Sequence, residues 1–330
     1  MELREIRLPQ DFAPIGDMIV DTFQYPENPE WSVQTDEQEH IAHAIKSFRK
    51  LWPLVRVMQL ISPPLRDIFR GYVATEGGKI VGLTMVQRRG TTSTWIVGTV
   101  GVLPDYRRRG LARKGLEKSL ELMKDHGATK TGLGVINGNT PARSLYESLD
   151  FEVFDSTFDC TLKKPTAPSI PPLHADYEIV KLKRSDWQTR FNLEARITPA
   201  EVRHHEPVEK GRFKQPLAMR LLVPIINLVQ REKEEDFIVR ESATGRVIGR
   251  CGYSASLRGK GVNGIRVRLD PAVPEPAEHL VGLMLQKVVS LSPNLRIEIG
   301  IPRWMPAILD AAVSYGFEKR VEYMKMGRDL

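Results

Sequence analysis

The chain has 330 residues, 41% of them hydrophobic and 27% charged, and a net charge of +7. That is ordinary for a globular protein and long enough for two domains, each with its own core. The positive balance suits a nucleic-acid partner and a polyanionic cofactor equally, so by itself it selects neither. Cys160 and Cys251 lie in separate halves without metal-ligand or Cys-x-x-Cys spacing. No metal is expected, and a reducing compartment is the simple reading. The opening Met1 to Arg7 is charged where a signal peptide would be apolar. The longest apolar run, Leu221 to Val229, contains Asn227 and is too short to span a bilayer. A cytoplasmic protein with no membrane partner is expected.

Residues 3–7 alternate as a strand, and Asp11 is placed to cap a helix through about Phe23. Tyr25 to Gln38 reads as an irregular acidic stretch. A second helix is expected from Glu39 to Leu51, with Ile41, Ala44, Ile45, Phe48 and Leu51 on one face. Ile68 to Thr75 and Lys79 to Gln87 form a hairpin joined at Gly77-Gly78, and Thr94 to Leu103 is the next strand. A helix follows over 107–125, ending near His126-Gly127, then a strand from Thr131 to Ile136. Another helix covers 141–149, and Phe151 to Leu162 supplies closing strands.

The junction after Leu103 carries the chemistry. Pro104 and Asp105 end an apolar strand, and a basic turn, Arg107-Arg108-Arg109-Gly110, leads into a helix. The first turn of a helix has backbone N–H groups without intrahelical partners and a partial positive charge. Gly110 allows an anion to approach the main chain, and the arginines add cations. A phosphorylated ligand fits here; so does a solvated surface turn, the commoner use of three successive arginines. Neither Gly-x-x-x-x-Gly-Lys-Ser/Thr nor Gly-x-Gly-x-x-Gly is present, which argues against nucleoside triphosphates and dinucleotides.

Arg107-x-x-Gly110-x-Ala112 resembles the pyrophosphate loop of the GNAT superfamily of N-acetyltransferases, Arg/Gln-x-x-Gly-x-Gly/Ala, which follows a strand ending in Val-x-Pro. A second stretch, Asn139-x-x-Ala142-x-x-Leu145-Tyr146-x-x-x-x-Phe151, resembles the family's later motif, with Asp150 where the family has Gly. Asp tolerates a left-handed backbone, so that turn is expected to survive. The resemblance covers residues 1–163 and implies a mixed α/β GNAT fold that binds acetyl-CoA. It implies that the main chain from Arg108 to Arg113, through Arg109, Gly110, Leu111 and Ala112, holds the diphosphate with help from Arg107. It further implies that the strand edge Val100 to Leu103 pairs with the pantetheine arm, with the Val102 amide facing the thioester oxygen. Asn139 would hold pantetheine or the adjoining loop, and Tyr146 would protonate the departing thiolate. The other reading of Tyr146 is a helix tyrosine packed on the next strand.

Lys163 to Ala175 is proline-rich and reads as a semi-rigid connector, with the linker proper at 164–175. Beyond it the chain repeats itself. Val81-Gly82 matches Ile248-Gly249, Pro104 matches Pro271, and Phe151-Glu152 matches Phe317-Glu318, at offsets of 166 or 167 residues. Two tandem GNAT-like folds are therefore expected: a catalytic one over 1–163 and a degenerate one over 176–330, structural or substrate-shaping. In the second, the basic loop is replaced by Val273-Pro-Glu-Pro-Ala-Glu-His, in which Pro274 and Pro276 lack amide donors and Glu275 and Glu278 oppose an anion.

The expected activity is transfer of an acetyl group from acetyl-CoA to a primary amine, by direct attack in a ternary complex. The acceptor is a small molecule or a peptide, and no nucleic-acid motif is evident. The alternative is a non-catalytic protein whose coenzyme A binding regulates contact with a macromolecular partner. No general base declares itself. Glu27 and Glu30 could attract a cationic amine but fit a solvated loop better. His204-His205 with Glu206 lacks metal-ligand spacing and reads as surface.

Overall fold

The computed structural model describes the backbone of all 330 residues and the side chains of all but residues 63 and 64. The first half runs β1 (Glu2–Glu5), α1 (Phe12–Thr22), α2 (Thr35–Ile61), β2 (Arg70–Glu76), β3 (Lys79–Arg88), β4 (Thr94–Val102), α3 (Leu111–Asp125), β5 (Lys130–Ile136), α4 (Thr140–Glu147) and β6 (Glu152–Leu162). The second half runs β7 (Tyr177–Lys181), α5 (Trp187–Ile197), α6 (Ala200–His205), α7 (Lys210–Phe213), α8 (Leu217–Gln230), β8 (Glu232–Glu241), β9 (Val247–Ser256), β10 (Asn263–Leu269), α9 (Ala277–Leu291), β11 (Ile297–Pro302), α10 (Pro306–Ser314) and β12 (Glu318–Asp329). The order from β2 to β6 recurs from β8 to β12, as the repeated dipeptides require.

The chain forms two compact units whose limits are not those of the repeats. One comprises Met1–Phe154, Glu201–Ile226 and Met324–Leu330; the other comprises Asp155–Ala200 and Asn227–Tyr323. In the first unit β1 to β5 lie side by side in chain order, with the end of β12 beyond β5. Leu330 N–H bonds to Thr129 O at 2.9 Å, Lys130 pairs with Asp329, and the Met326 side chain is fully buried against Trp95, Leu116 and Met123. In the second unit β6 pairs antiparallel with β11 through Thr157–Leu162, followed by β10, β9, β8 and β7. Its core sets Leu280, Val281, Met284 and Val288 of α9 against β9, β10 and β11.

Several elements differ from the sequence reading in instructive ways. Asp11 stands at the start of α1 without capping it, because its carboxylate is taken by the Arg4 guanidinium at 2.7 and 2.9 Å and by Arg7 N–H at 2.7 Å. α2 starts earlier, at a capping box between Gln34 and Glu37, and continues through Pro53 to Ile61. A helical proline removes one backbone bond, and burial of Trp52 and Val55 on either side of it holds the helix together. α3 begins at Leu111, because Gly110, at φ +74°, is its left-handed cap. Gly77 and Gly78 both have positive φ, as a tight hairpin requires. Asp150 adopts φ +60° in place of the family's glycine, as expected.

Candidate active site

The site lies in the first unit, where β4 and β5 separate. These parallel strands pair only at Thr94–Lys130, Trp95–Thr131 and Ile96–Gly132. A bulge at Gly98, opposite Met85 and Val86 of β3, bends β4 just where the pairing ends. Leu103 N–H bonds to Val81 O at 3.0 Å. Because successive amides of a strand alternate in direction, the N–H groups of Val100 and Val102 point to the opposite edge, into the gap β5 has left. Leu103 itself goes to the core: its side chain is buried, its N–H bonds β3, and its carbonyl accepts from Tyr106 N–H at 2.9 Å.

α3 opens onto the same gap. It is held against β3 because Gly115 lets the helix approach Thr84, where a Cβ would stand 2.5 Å from the hydroxyl. Leu116, Ser119 and Met123 are fully buried behind it. At its far end, Arg88 donates to His126 O at 2.6 Å while paired with Asp67 at 2.8 Å. At its near end no backbone N–H from Arg108 to Arg113 has a backbone partner among the described residues; the first bond is Lys114 N–H to Gly110 O at 3.0 Å. A Cβ on Gly110 would meet nothing within 4 Å. Left-handed Arg108, at φ +64°, together with Gly110 turns these amides toward one open space.

The arginines divide their work. Arg107 donates to Thr22 O at 3.0 Å and Val102 O at 3.2 Å, so its side chain ties the end of α1 to β4. Arg109 donates to Asp105 O at 2.9 Å and lies over the Tyr106 ring, and Arg113 donates to Ser148 Oγ at 2.7 Å. Arg108, Arg109 and Arg113 are exposed beside the amides.

The second motif builds the opposite wall. Asn139 caps α4, its Oδ1 accepting from Ala142 N–H at 3.3 Å, and its side chain also reaches the Tyr25 hydroxyl. Tyr146 is buried, edge-on to Phe151 with ring centroids 6.2 Å apart. Burial, reinforced by the nearby Tyr25 phenol, pushes the Tyr146 phenol far above its ordinary value of 10.0. It is therefore protonated throughout the neutral range, as an acid must be. Burial also raises the Tyr25 phenol, with Arg107 pulling the other way. Trp31 packs edge-on against Tyr25, and a Cβ on Gly138 would stand 3.2 Å from the Trp31 ring.

Tyr25 and Trp31 thus bring the α1–α2 connection to Asn139. The sequence reading missed both, seeing in that stretch only its acidic residues. Glu27 and Glu30 are exposed on the same connection. Glu76 is engaged by the Tyr106 hydroxyl at the hairpin. His205 is half-buried rather than free on the surface: it stacks on Phe154 at 4.7 Å, and a Cβ on Gly327 would stand 2.5 Å from its ring. Burial lowers its pKa, and the described residues hold no metal-binding cluster.

Residues 29–151 match the Acetyltransferase (GNAT) family, and they include both motifs and the diverging strands. The chain carries a GNAT acetyltransferase domain. Over 83 residues, 24% of its length, it is 31% identical to N-alpha-acetyltransferase 30 of Schizosaccharomyces pombe, covering 55% of that protein. Over 81 residues, again 24% of its length, it is 40% identical to mycothiol acetyltransferase of Corynebacterium glutamicum, covering 27% of it. The chain thus spans about half or less of these relatives' lengths. The whole chain resembles a tandem GNAT protein from the clavulanic acid biosynthesis pathway, with a TM-score of 0.63 at 14% identity, covering 99% of this chain and 98% of that one. A GCN5-related N-acetyltransferase from Sphaerobacter thermophilus gives 0.62 at 13% identity, covering 99% and 95%. The mixed sheets and the repeat are two GNAT-like folds.

The second copy lacks the site. Ala277 N–H bonds to Pro274 O at 3.0 Å, Leu280 N–H to Pro276 O at 2.9 Å, and Val273 N–H to Asp270 O at 2.9 Å. With Pro274 and Pro276 supplying no donor, the start of α9 offers fewer unpartnered amides than α3, and exposed Glu275 and Glu278 set carboxylates beside them.

Proposed function

We propose that the GNAT domain transfers the acetyl group of acetyl-CoA to a primary amine of a small molecule or peptide, by direct attack in a ternary complex. The observation that carries this reading is the set of unpartnered amides from Arg108 to Arg113, opening beside a strand edge that β5 has left. Both fit the coenzyme: amides, open space at Gly110 and exposed guanidiniums suit its diphosphate, and the Val100 and Val102 edge suits the amides of its pantetheine arm. Bound acetyl-CoA supplies an activated acyl carbon on a thiolate leaving group.

The chain's residues do the rest. Val102 N–H polarises the thioester carbonyl, favouring the negative charge that develops on its oxygen. As the C–N bond forms and the C–S bond breaks, the amine loses a proton to solvent, and Tyr146 Oη delivers one to the departing sulfur. Tyr25, held by Asn139, and Trp31 line the acceptor's approach. The second copy binds no coenzyme. Buried free thiols, with Cys160 pushed up to about 11 by burial and Cys251 to about 12, agree with a cytoplasmic, reducing setting.

The test is free-thiol release from acetyl-CoA against a panel of amines. Turnover is expected, and Tyr146→Phe lowers kcat by roughly a hundredfold or more at unchanged acetyl-CoA affinity. The wild-type rate shows no loss from Tyr146 deprotonation near pH 10, because burial holds that phenol above its ordinary 10.0. Tight acetyl-CoA binding without turnover on any amine would overturn catalysis and leave a coenzyme-binding regulatory protein.

A further inference from the structure

A feature unrelated to acyl transfer recurs in both repeats. Leu51-Trp52-Pro53-Leu54-Val55-x-Val57-Met58-Gln59 in α2 matches Leu222-Val223-Pro224-Ile225-Ile226-x-Leu228-Val229-Gln230 in α8. The second copy has lost its coenzyme loop yet keeps this proline-centred helix. The two helices meet in one cluster of the first unit, where Trp52 and Val55 of α2 and Leu222 of α8 are buried with Phe12.

Their outward faces are apolar and exposed. Among the described residues twelve large hydrophobic side chains are exposed, and seven of them belong to these two helices, so the exposure is concentrated rather than scattered. Leu60 and Leu228 are 75% and 77% exposed. At 100° per residue, Lys46, Lys50, Pro53, Val57 and Leu60 fall on one stripe of α2, opposite buried Val55. Leu217, Leu221, Pro224 and Leu228 form the corresponding stripe of α8, opposite buried Leu222. Beside Val57 and Leu60 opens a cavity of about 470 Å³, lined also by Trp52, Phe69, Arg56, Arg66 and Glu5.

The charge within these two segments is of one sign, while of their neighbours Glu5 lines the same cavity and Asp17 lies beside Lys46, Arg49 and Lys50. Residues 40–66 hold five Lys or Arg and no Asp or Glu, and residues 210–231 hold another five and none. These 49 residues therefore carry +10 in a chain of net charge +7, leaving −3 on the remainder. Protein interfaces are depleted of lysine and balance their charges. Exposed aliphatic stripes flanked by a large excess of cations match the surface of an anionic bilayer. We propose that the outward faces of α2 and α8 seat the protein on anionic membrane surface, aliphatic side chains entering the headgroup boundary and lysines and arginines meeting lipid phosphates. No described helix is long and apolar enough to cross a membrane.

The test is flotation of the full chain with phosphatidylcholine vesicles and with vesicles of equal parts phosphatidylcholine and phosphatidylglycerol. Binding is expected to the mixed vesicles only and to fall with added salt. Replacing one cation, Lys50→Ser or Arg220→Ser, weakens it about fivefold. The exposed-site variant Leu60→Ser/Leu221→Ser/Leu228→Ser abolishes flotation while keeping the wild-type melting curve. Failure to float, equal flotation with neutral vesicles, or undiminished flotation of the triple serine variant would each overturn the proposal. So would a light-scattering dimer that this variant dissociates, which would assign the face to a second copy.

Discussion

Two glycines bracket α3 and allow strain to be separated from binding. Gly110 precedes the helix and Gly127 follows it; both have φ +74°, and a Cβ on either meets nothing within 4 Å. Alanine at either position thus incurs the same left-handed penalty, about 1–2 kcal/mol, with no added clash. Each variant should lower the first unit's unfolding midpoint by a similar few degrees. Under the proposed function, only Gly110→Ala puts a methyl group where the diphosphate would meet the loop amides. Loss of one charge-assisted hydrogen bond is worth about 1.5–3 kcal/mol, roughly a tenfold to hundredfold weaker Kd for acetyl-CoA. Titration calorimetry of both variants beside thermal melts separates the effects. Equal affinities in the two variants would refute the assignment of the loop, since folding strain alone predicts that equality.

Two predictions concern how the far parts of the chain support this unit. Glu206 of the 201–226 segment pairs with Arg89 at 3.0 Å and Lys325 at 3.9 Å. Burial alone would raise its carboxyl, but Arg89, Lys325 and Arg212 outweigh that and hold it below its ordinary 4.5. Its contribution is therefore complete above pH 4.5 and lost as pH falls through the lowered value. Glu206→Gln should destabilise by about 1–3 kcal/mol at pH 7 and flatten the acid limb of a melting-point-against-pH curve; an unchanged limb would show the pair does not matter. Met326→Ala, which opens a cavity beside Trp95 and Leu116, should cost about 2–5 kcal/mol by denaturant titration. A cost below about 1 kcal/mol would mean the end of β12 does not belong to that core.

Local chemistry was legible in the sequence, and tertiary competition was not. Asp150 could be assigned a left-handed backbone because its neighbours, Tyr146 and Phe151, fixed which turn it occupies. The basic loop could be read because Gly110 and the strand before it are adjacent in sequence. Asp11 shows the limit: its cap position was correct, but Arg4 and Arg7 outbid the helix for its carboxylate. The helix expected to end at Leu51 runs on through Pro53 because buried Trp52 and Val55 outweigh the hydrogen bond the proline removes. Tyr25 and Trp31 carry no motif; they join the site only because the α1–α2 connection folds over Gly138 and Asn139.

The same contrast explains why one of two similar folds holds a site. Both repeats keep a short parallel pairing, β4 with β5 over Thr94–Ile96 and β10 with β11 over Asn263–Ile265, so both diverge at the matching place. Divergence alone creates no anion site. In the first repeat Gly110 and Arg108 take left-handed conformations that aim free amides outward, a local strain tolerated because buried Leu116 and Met123 anchor the helix behind them. In the second, Pro274 and Pro276 remove donors, turn bonds at Val273 and Ala277 occupy two more, and Glu275 and Glu278 set carboxylates beside those that are left. The left-handed residues are gone, and several of the donors with them. A helix start with few donors and added carboxylates suits a diphosphate poorly, which is why the proposed acyl-transfer site falls in the first repeat.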